Sequence, residues 1–324
     1  ETFCHDHQIP VHVIKTGICA RNKPFRFIRQ QLELPKWIDQ LDPDVAWFPF
    51  FFAPTRVSCP SALVIHDTRW VNDRNVFPWP ASYVWKKYVP KSAQHCDSVI
   101  TGSSFSKTSI VRECQIDESR VEIIPYGAGE QEAVAASHTF NFVKHGIVHP
   151  YILAVAFTHH HKNLVRLIRS FYRLNSMLPI QLVLSGGPGS QEAEIRRLAE
   201  ETKGRVIKLG LVTTDELASL YKHALGFAFP SLYEGFGMPV LEAMHYKLPM
   251  ICSNIPVLKE IAGPAALYFD PMDEDSMQDA LNRIVTDEAL RGYLIKEGQQ
   301  QIRLFSWNRC ADRHTLLFHK LALA

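Results

Sequence analysis

The chain has 324 residues, 46% of them hydrophobic, with a formal net charge of +2. This length and apolar content exclude intrinsic disorder and predict two packed domains, and the near-neutral charge gives no electrostatic case for nucleic acid as a partner. Seven scattered cysteines without a C-x-x-C pair predict reduced thiols and a cytoplasmic location; there is no run of 18 apolar residues and no signal-peptide pattern, so no spanning helix is expected.

In chain order, residues 9–16 read as a strand. Residues 25–40 carry apolar side chains at helical spacing and stop at Asp42-Pro43-Asp44, which reads as a turn and not as a metal-binding D-x-D. Residues 45–52 form an apolar strand, and 61–65 form another ending at His66-Asp67. Residues 81–95 are helical, with Pro90 as a candidate kink. Strand 98–101 leads to a helix capped by Ser103, and strand 121–124 stops at Pro125. Residues 128–149 lack periodicity and read as a linker. The alternation then repeats. Strand 151–156 is followed by a helix predicted over 162–177. Strand 180–184 ends in Gly186-Gly187-Pro188-Gly189. Helix 191–202, strand 206–209 and helix 214–223 follow. Strand 225–229 leads into Pro230–Met244. Strand 250–252, helix 257–262, strand 266–269 and a helical tail complete the chain. Two sets of β-α alternation predict two Rossmann-like parallel-sheet domains facing a cleft, spanning 1–128 and 149–324. Ligands of such sheets bind at the carboxyl ends of the strands.

The stretch PSLYEGFGMPVLEAM places Glu234 and Glu242 on either side of a strand-to-helix turn. A helix N-terminus offers unpaired backbone N–H groups and a positive dipole end, which suits phosphate. Glycine allows close backbone approach, and a carboxylate on each side can accept from hydroxyls. This E-x7-E, with its EGFG and LEAM context, resembles the retaining glycosyltransferases of family 4, which have the GT-B fold. The likeness extends, in order, through FIRQQLELPKW, LVIHDTRW, VITGSSFSKTSIVREC, RVEIIPYGAG and HHKNL, and so spans nearly the whole sequence.

The resemblance implies an α/β GT-B enzyme moving a hexosyl group, mannosyl by preference, from a nucleotide sugar to a hydroxyl of a glycan or lipid-linked acceptor. It implies the type found in bacterial polysaccharide and lipopolysaccharide assembly, independent of metal and cofactor, with GDP-mannose favoured over a UDP-sugar as donor. Glu234, Lys162 and His66 are the implied catalytic residues. Glu242 would take the ribose hydroxyls. The backbones of Gly235, Phe236 and Gly237 would hold the sugar, those of Val240 and Leu241 a phosphate, and the Gly186-Gly187 turn would pass near the nucleotide. The base would pack near residues 209–213. Trp79, Tyr83, Trp85 and Tyr88, interleaved with Lys86, Lys87 and Lys91, suggest a peripheral membrane or lipid-linked acceptor patch. His159, His160 and His161 do not have metal-ligand spacing.

Two departures stand out. The family's first strand and glycine-rich loop should precede Ile9 and are not found. Many members also carry an arginine five residues before the lysine, where this chain has Phe157. Both features keep open an alternative, a non-catalytic or partner-dependent subunit that binds a nucleotide sugar.

Overall fold

The computed structural model describes residues 23–71, 79–128, 140–148, 150–174 and 178–324. The strand expected at 9–16 and most of the linker lie outside the described residues.

The first unit opens with α1 (Lys23–Leu41), which leads into β1 (Ala46–Phe48), β2 (Ser61–Val64), α2 (Ala81–His95), β3 (Ser98–Thr101), α3 (Ser104–Cys114) and β4 (Val121–Ile123). Its four described strands are parallel, in the order β1-β2-β3-β4. Strand β1 is shorter than the 45–52 expected. Pro49 has no N–H for the ladder, and Phe51 turns to φ 49°, so the chain leaves the sheet. Helix α2 runs through Pro90. Ser103 caps α3 as expected, its hydroxyl accepting from Ser106 N at 3.1 Å.

The second unit is more regular. It comprises β5 (Tyr151–Val155), α4 (Leu164–Tyr172), β6 (Gln181–Ser185), α5 (Glu192–Glu201), β7 (Val206–Gly210), α6 (Thr214–His223), β8 (Gly226–Phe229), α7 (Met238–His245), β9 (Met250–Ser253), α8 (Pro256–Ala262) and β10 (Ala266–Phe269). Helices α9 (Glu274–Thr286), α10 (Glu288–Gln301) and α11 (Trp307–Ala322) follow. Six parallel strands take the order β10-β9-β8-β5-β6-β7. Both faces are covered, which is why these strands read as continuous apolar runs. Tyr151, Leu153, Phe227 and Phe229 pack on α6, α7 and α8, while Ile152, Leu182 and Ala228 pack on α4, α5 and α9.

The topology has one consequence for function. From β5 the chain winds outward through β6 and β7, then returns to the other side of β5 as β8. The order therefore reverses between β5 and β8, and a crevice opens outside their carboxyl ends. Lys162 follows β5, and Glu234 follows β8.

The tail is helical as expected, but its last helix serves the other unit. Cys310 and Leu317 of α11 bury against Ala62, Val64, Ile100 and Ile124 of the first sheet.

The two units also meet beside the crevice. Gly235 carbonyl accepts from the hydroxyls of Ser103 at 2.7 Å and Ser106 at 2.9 Å. Glu260 of α8 accepts from the backbone N–H of Ser104 at 2.7 Å and Phe105 at 3.1 Å, so a carboxylate of one unit caps a helix of the other. Gly235 lies so close that an added Cβ would sit 2.3 Å from the His66 carbonyl oxygen. Gly235→Ala is therefore expected to wedge the units apart and cost about 1–3 kcal/mol. Urea unfolding checks this, and a midpoint equal to wild type would contradict it.

Candidate active site

Lys162 reaches the crevice by a route the periodicity did not predict. It does not begin a helix. Residues His160–Lys162 form a 3-10 turn, and Asn163 adopts φ 58°, which breaks the backbone before α4 starts at Leu164. A left-handed residue is tolerated by asparagine, and here its amide donates to Pro271 carbonyl at 2.8 Å. The cation thus sits on a 3-10 corner directly before the helix N-cap, Asn163.

Glu234 lies in the loop between β8 and α7. Its Oε1 accepts from Lys162 Nζ at 2.5 Å, with the two side chains 13% and 18% exposed. The Lys162 ammonium also stands 5.6 Å from the centre of the Phe229 ring. The two residues flanking the crevice are therefore paired with each other.

Opposite them stands the end of β2. Asp67, Arg69, Lys162, Glu234, Tyr233 and Phe157 line a cavity of about 360 Å3, together with His159 and His161. Asp67 accepts from Arg69 N–H at 2.9 Å, and burial pushes its carboxyl above the usual range. Arg69 Nη1 lies 2.5 Å from His161 Nε2. Tyr233 OH accepts from Thr68 N–H at 3.0 Å, tying the loop to the first unit.

His161 is 7% exposed, and burial, then the Arg69 and Lys162 charges, push its pKa down to about 2. The folded chain keeps this ring neutral, whereas an unfolded histidine takes a proton below about pH 6.5. Stability is then lost as pH falls from about 6.5 toward 2, with a slope approaching about 1.4 kcal/mol per pH unit. His161→Gln is expected to make that slope shallower. Urea unfolding at about pH 7, 6 and 5 measures it, and an unchanged slope would contradict it.

His66 does not line the cavity. Its Nδ1 lies 2.6 Å from Tyr126 OH, and burial lowers its pKa. Burial also pushes the Tyr126 phenol up, so the hydroxyl keeps its proton beside the ring.

Glu242 is the fifth residue of α7, so it lies about one turn into the helix. It too lies outside the 360 Å3 cavity. It accepts from Tyr221 OH at 2.7 Å, and Tyr221 stacks on Tyr246.

Of the backbone positions, Gly237 holds φ 107° and is glycine for that reason. Phe236 is buried between Tyr126 and Phe305. Val240 and Leu241 are fully buried, and Val240 N–H donates to Gly237 carbonyl at 2.9 Å. Pro239 carries no N–H. The donors at this end of α7 are therefore fewer than the four that a helix N-terminus usually exposes.

The Gly186-Gly187 turn serves the Lys162 corner. A Cβ on Gly186 would meet Ala156 carbonyl oxygen at 2.1 Å, and one on Gly187 would meet the Phe157 ring at 2.5 Å. Gly186 N–H donates to Gly210 carbonyl, and Gly187 carbonyl accepts from Thr158 N–H. These glycines let the loop after β6 press against the loop after β5.

The aromatic run that begins just before α2 and continues along it divides in two. Trp85 packs on the rings of Phe50, Phe51 and Phe52, and Tyr88 packs on Phe27. Trp79 and Tyr83 are 83% and 57% exposed, beside exposed Lys86, Lys87 and Lys91.

Sequence reading missed Arg69 and Tyr233 as cavity residues, and Tyr126 and Tyr221 as partners of His66 and Glu242. The available signals were position alone. Arg69 stands just past the strand-end His66-Asp67, and Tyr233 immediately precedes Glu234.

Comparison with known proteins identifies the family and the fold. Residues 139–301 match the family Glycosyl transferases group 1, and residues 3–129 match Glycosyltransferase Family 4. The chain is 27% identical over 286 residues to the O-antigen chain mannosyltransferase B of Escherichia coli, covering 84% of this chain and 73% of that protein. It is 29% identical over 226 residues to the O-antigen chain mannosyltransferase RfbU of Salmonella typhimurium, covering 68% of this chain and 62% of that one. In fold it is similar to the sucrose-phosphate synthase of Thermosynechococcus elongatus, with a TM-score of 0.71 at 21% identity over 94% of this chain and 80% of the other. With two parallel-sheet units facing a cleft and both halves matched by family, the chain belongs to the group 1 and family 4 glycosyltransferases of GT-B fold.

Proposed function

We propose that the chain is a retaining mannosyltransferase of O-antigen type, moving a mannosyl group from GDP-mannose to a hydroxyl of a glycan or lipid-linked acceptor. The observation that carries this reading is the Lys162–Glu234 pair at the crevice between β5 and β8, facing Asp67 and Arg69 across a 360 Å3 cavity. The relatives named as O-antigen mannosyltransferases support the choice of sugar.

In this reading the donor's diphosphate draws Lys162 away from Glu234. The ammonium then neutralises charge that builds on the leaving diphosphate, which is where a preorganised cation contributes most to rate. Glu234, released from the pair, faces the transferred sugar and stabilises positive charge near its anomeric carbon. Glu242 accepts from the ribose hydroxyls while Tyr221 fixes its carboxylate. Approach of the two units excludes water from the cavity and limits hydrolysis. His66 is held neutral by burial and positioned by Tyr126, so its part is to orient and not to carry charge. Trp79 and Tyr83, with Lys86, Lys87 and Lys91, would rest on an anionic membrane surface at its cytoplasmic side and bring a lipid-linked acceptor to the cleft. Among the described residues no helix is long and apolar enough to cross a membrane.

A thermal-shift screen with GDP, UDP, ADP and their sugars tests the reading. A ligand that binds only the folded chain at 100 times its Kd stabilises by about 2.7 kcal/mol. GDP and GDP-mannose are expected to raise the melting temperature most. No shift with any nucleoside diphosphate would overturn the proposal.

A further inference from the structure

Phe157 stands where the family resemblance implies an arginine. Its ring lies against Gly187, is 52% exposed, and forms part of the cavity wall. The second unit therefore presents Lys162 to the cavity without that arginine. A diphosphate carries more charge than one ammonium offsets, so the chemistry asks for another cation.

The first unit supplies a candidate. Arg69 is, with Lys162, one of the two Arg or Lys residues lining the cavity among the described residues. Its position is built and not incidental. Its backbone N–H is held by Asp67, and the next residue, Trp70, is 3% exposed, with its indole N–H donating to Asp67 carbonyl. The guanidinium crosses to the second unit and lies on His161, the residue immediately before Lys162. His161 stays uncharged and so offers an acceptor to the guanidinium. A planar guanidinium matches phosphate oxygens two at a time, which a lysine does not.

We propose that Arg69, reaching across the cleft, supplies the second positive charge over the donor diphosphate in place of the arginine that Phe157 displaces. The donor would then be gripped by a cation from each unit, Lys162 from the second and Arg69 from the first. Diphosphate binding and approach of the units would be coupled through one side chain. This rests on the nucleotide-sugar reading of the site.

Isothermal titration of GDP against GMP, with UDP against UMP in parallel, tests it on the whole chain. Arg69→Met is expected to weaken the diphosphate about 10- to 100-fold and the monophosphate by far less, since a charge-assisted hydrogen bond to phosphate is what it removes. Arg69→Lys should recover part of the loss. Adding Phe157→Arg to Arg69→Met should recover most of it, because the charge is returned from the other wall of the same cavity. A role confined to holding His161 would not respond to that second change. Arg69→Met binding GDP like wild type, or losing GDP and GMP alike without rescue by Phe157→Arg, overturns the inference and leaves the donor-site reading intact. Wild type binding no nucleoside diphosphate overturns both. Melting curves of each variant separate misfolding from lost binding. If Arg69→Met fails to fold, Arg69→Lys decides: GDP bound several-fold more weakly with GMP unchanged supports the inference, and GDP bound like wild type overturns it.

Discussion

Lys162→Ala is expected to slow mannosyl transfer from GDP-mannose by about 10²- to 10³-fold, the range seen when a preorganised charge-stabilising donor is removed. The effect should fall on kcat more than on KM, because the leaving diphosphate gains charge only as the bond breaks. The variant should still fold. Its loss leaves Glu234 without its partner at 13% exposure, and breaking a buried pair in this way costs up to about 3–5 kcal/mol. That fits within the stability of a domain, about 5–15 kcal/mol, and a carboxylate at the cavity wall can turn to water. Steady-state kinetics with a melting curve checks the prediction. Wild-type turnover in a folded Lys162→Ala chain would contradict it.

Glu242→Ala is expected to weaken GDP and GDP-mannose about 10- to 100-fold, since hydrogen bonds to a charged group are each worth about 1.5–3 kcal/mol. The change also strands Tyr221, whose hydroxyl donates to this carboxylate and whose ring is 1% exposed. Glu242→Gln separates the two effects. It keeps an acceptor for Tyr221 but removes the charge, so it should restore stability and leave donor affinity reduced. Titration of GDP against both variants checks this, and unchanged affinity in both would contradict a ribose role.

Much of this site was legible because it is local. The fully buried Gly226–Phe229, the glycine turn after it and the helix from Met238 are neighbours in the chain. The second sheet was legible for the same reason, since strands covered on both faces read as unbroken apolar runs. Arg69 was not legible. It meets His161 across 92 residues of sequence, and no periodicity links two loops of different units. The start of α4 was misread because a helical pattern continues back through Lys162, whereas one left-handed residue, Asn163, interrupts it. The overlong β1 was a misreading that local rules could have prevented, for Pro49 cannot donate to a sheet ladder. The return of α11 to the first sheet depends on tertiary packing of Cys310 and Leu317 and has no counterpart in its own helical pattern.

The Gly186-Gly187 turn shows how one motif supports two explanations. Glycines after a strand suggest a nucleotide contact. Here the near-contacts at Ala156 and Phe157 account for both residues through loop packing alone. Their effect on the donor would then run through the corner that carries Lys162.

As the resting form of a nucleotide-sugar site, the Lys162–Glu234 pair should open when the donor's diphosphate arrives. A crystal structure with GDP bound is expected to show diphosphate oxygens within hydrogen-bond distance of Lys162 Nζ, ribose hydroxyls on the Glu242 carboxylate, and Lys162 parted from Glu234. GDP bound elsewhere, or the pair intact at saturating GDP, would contradict it.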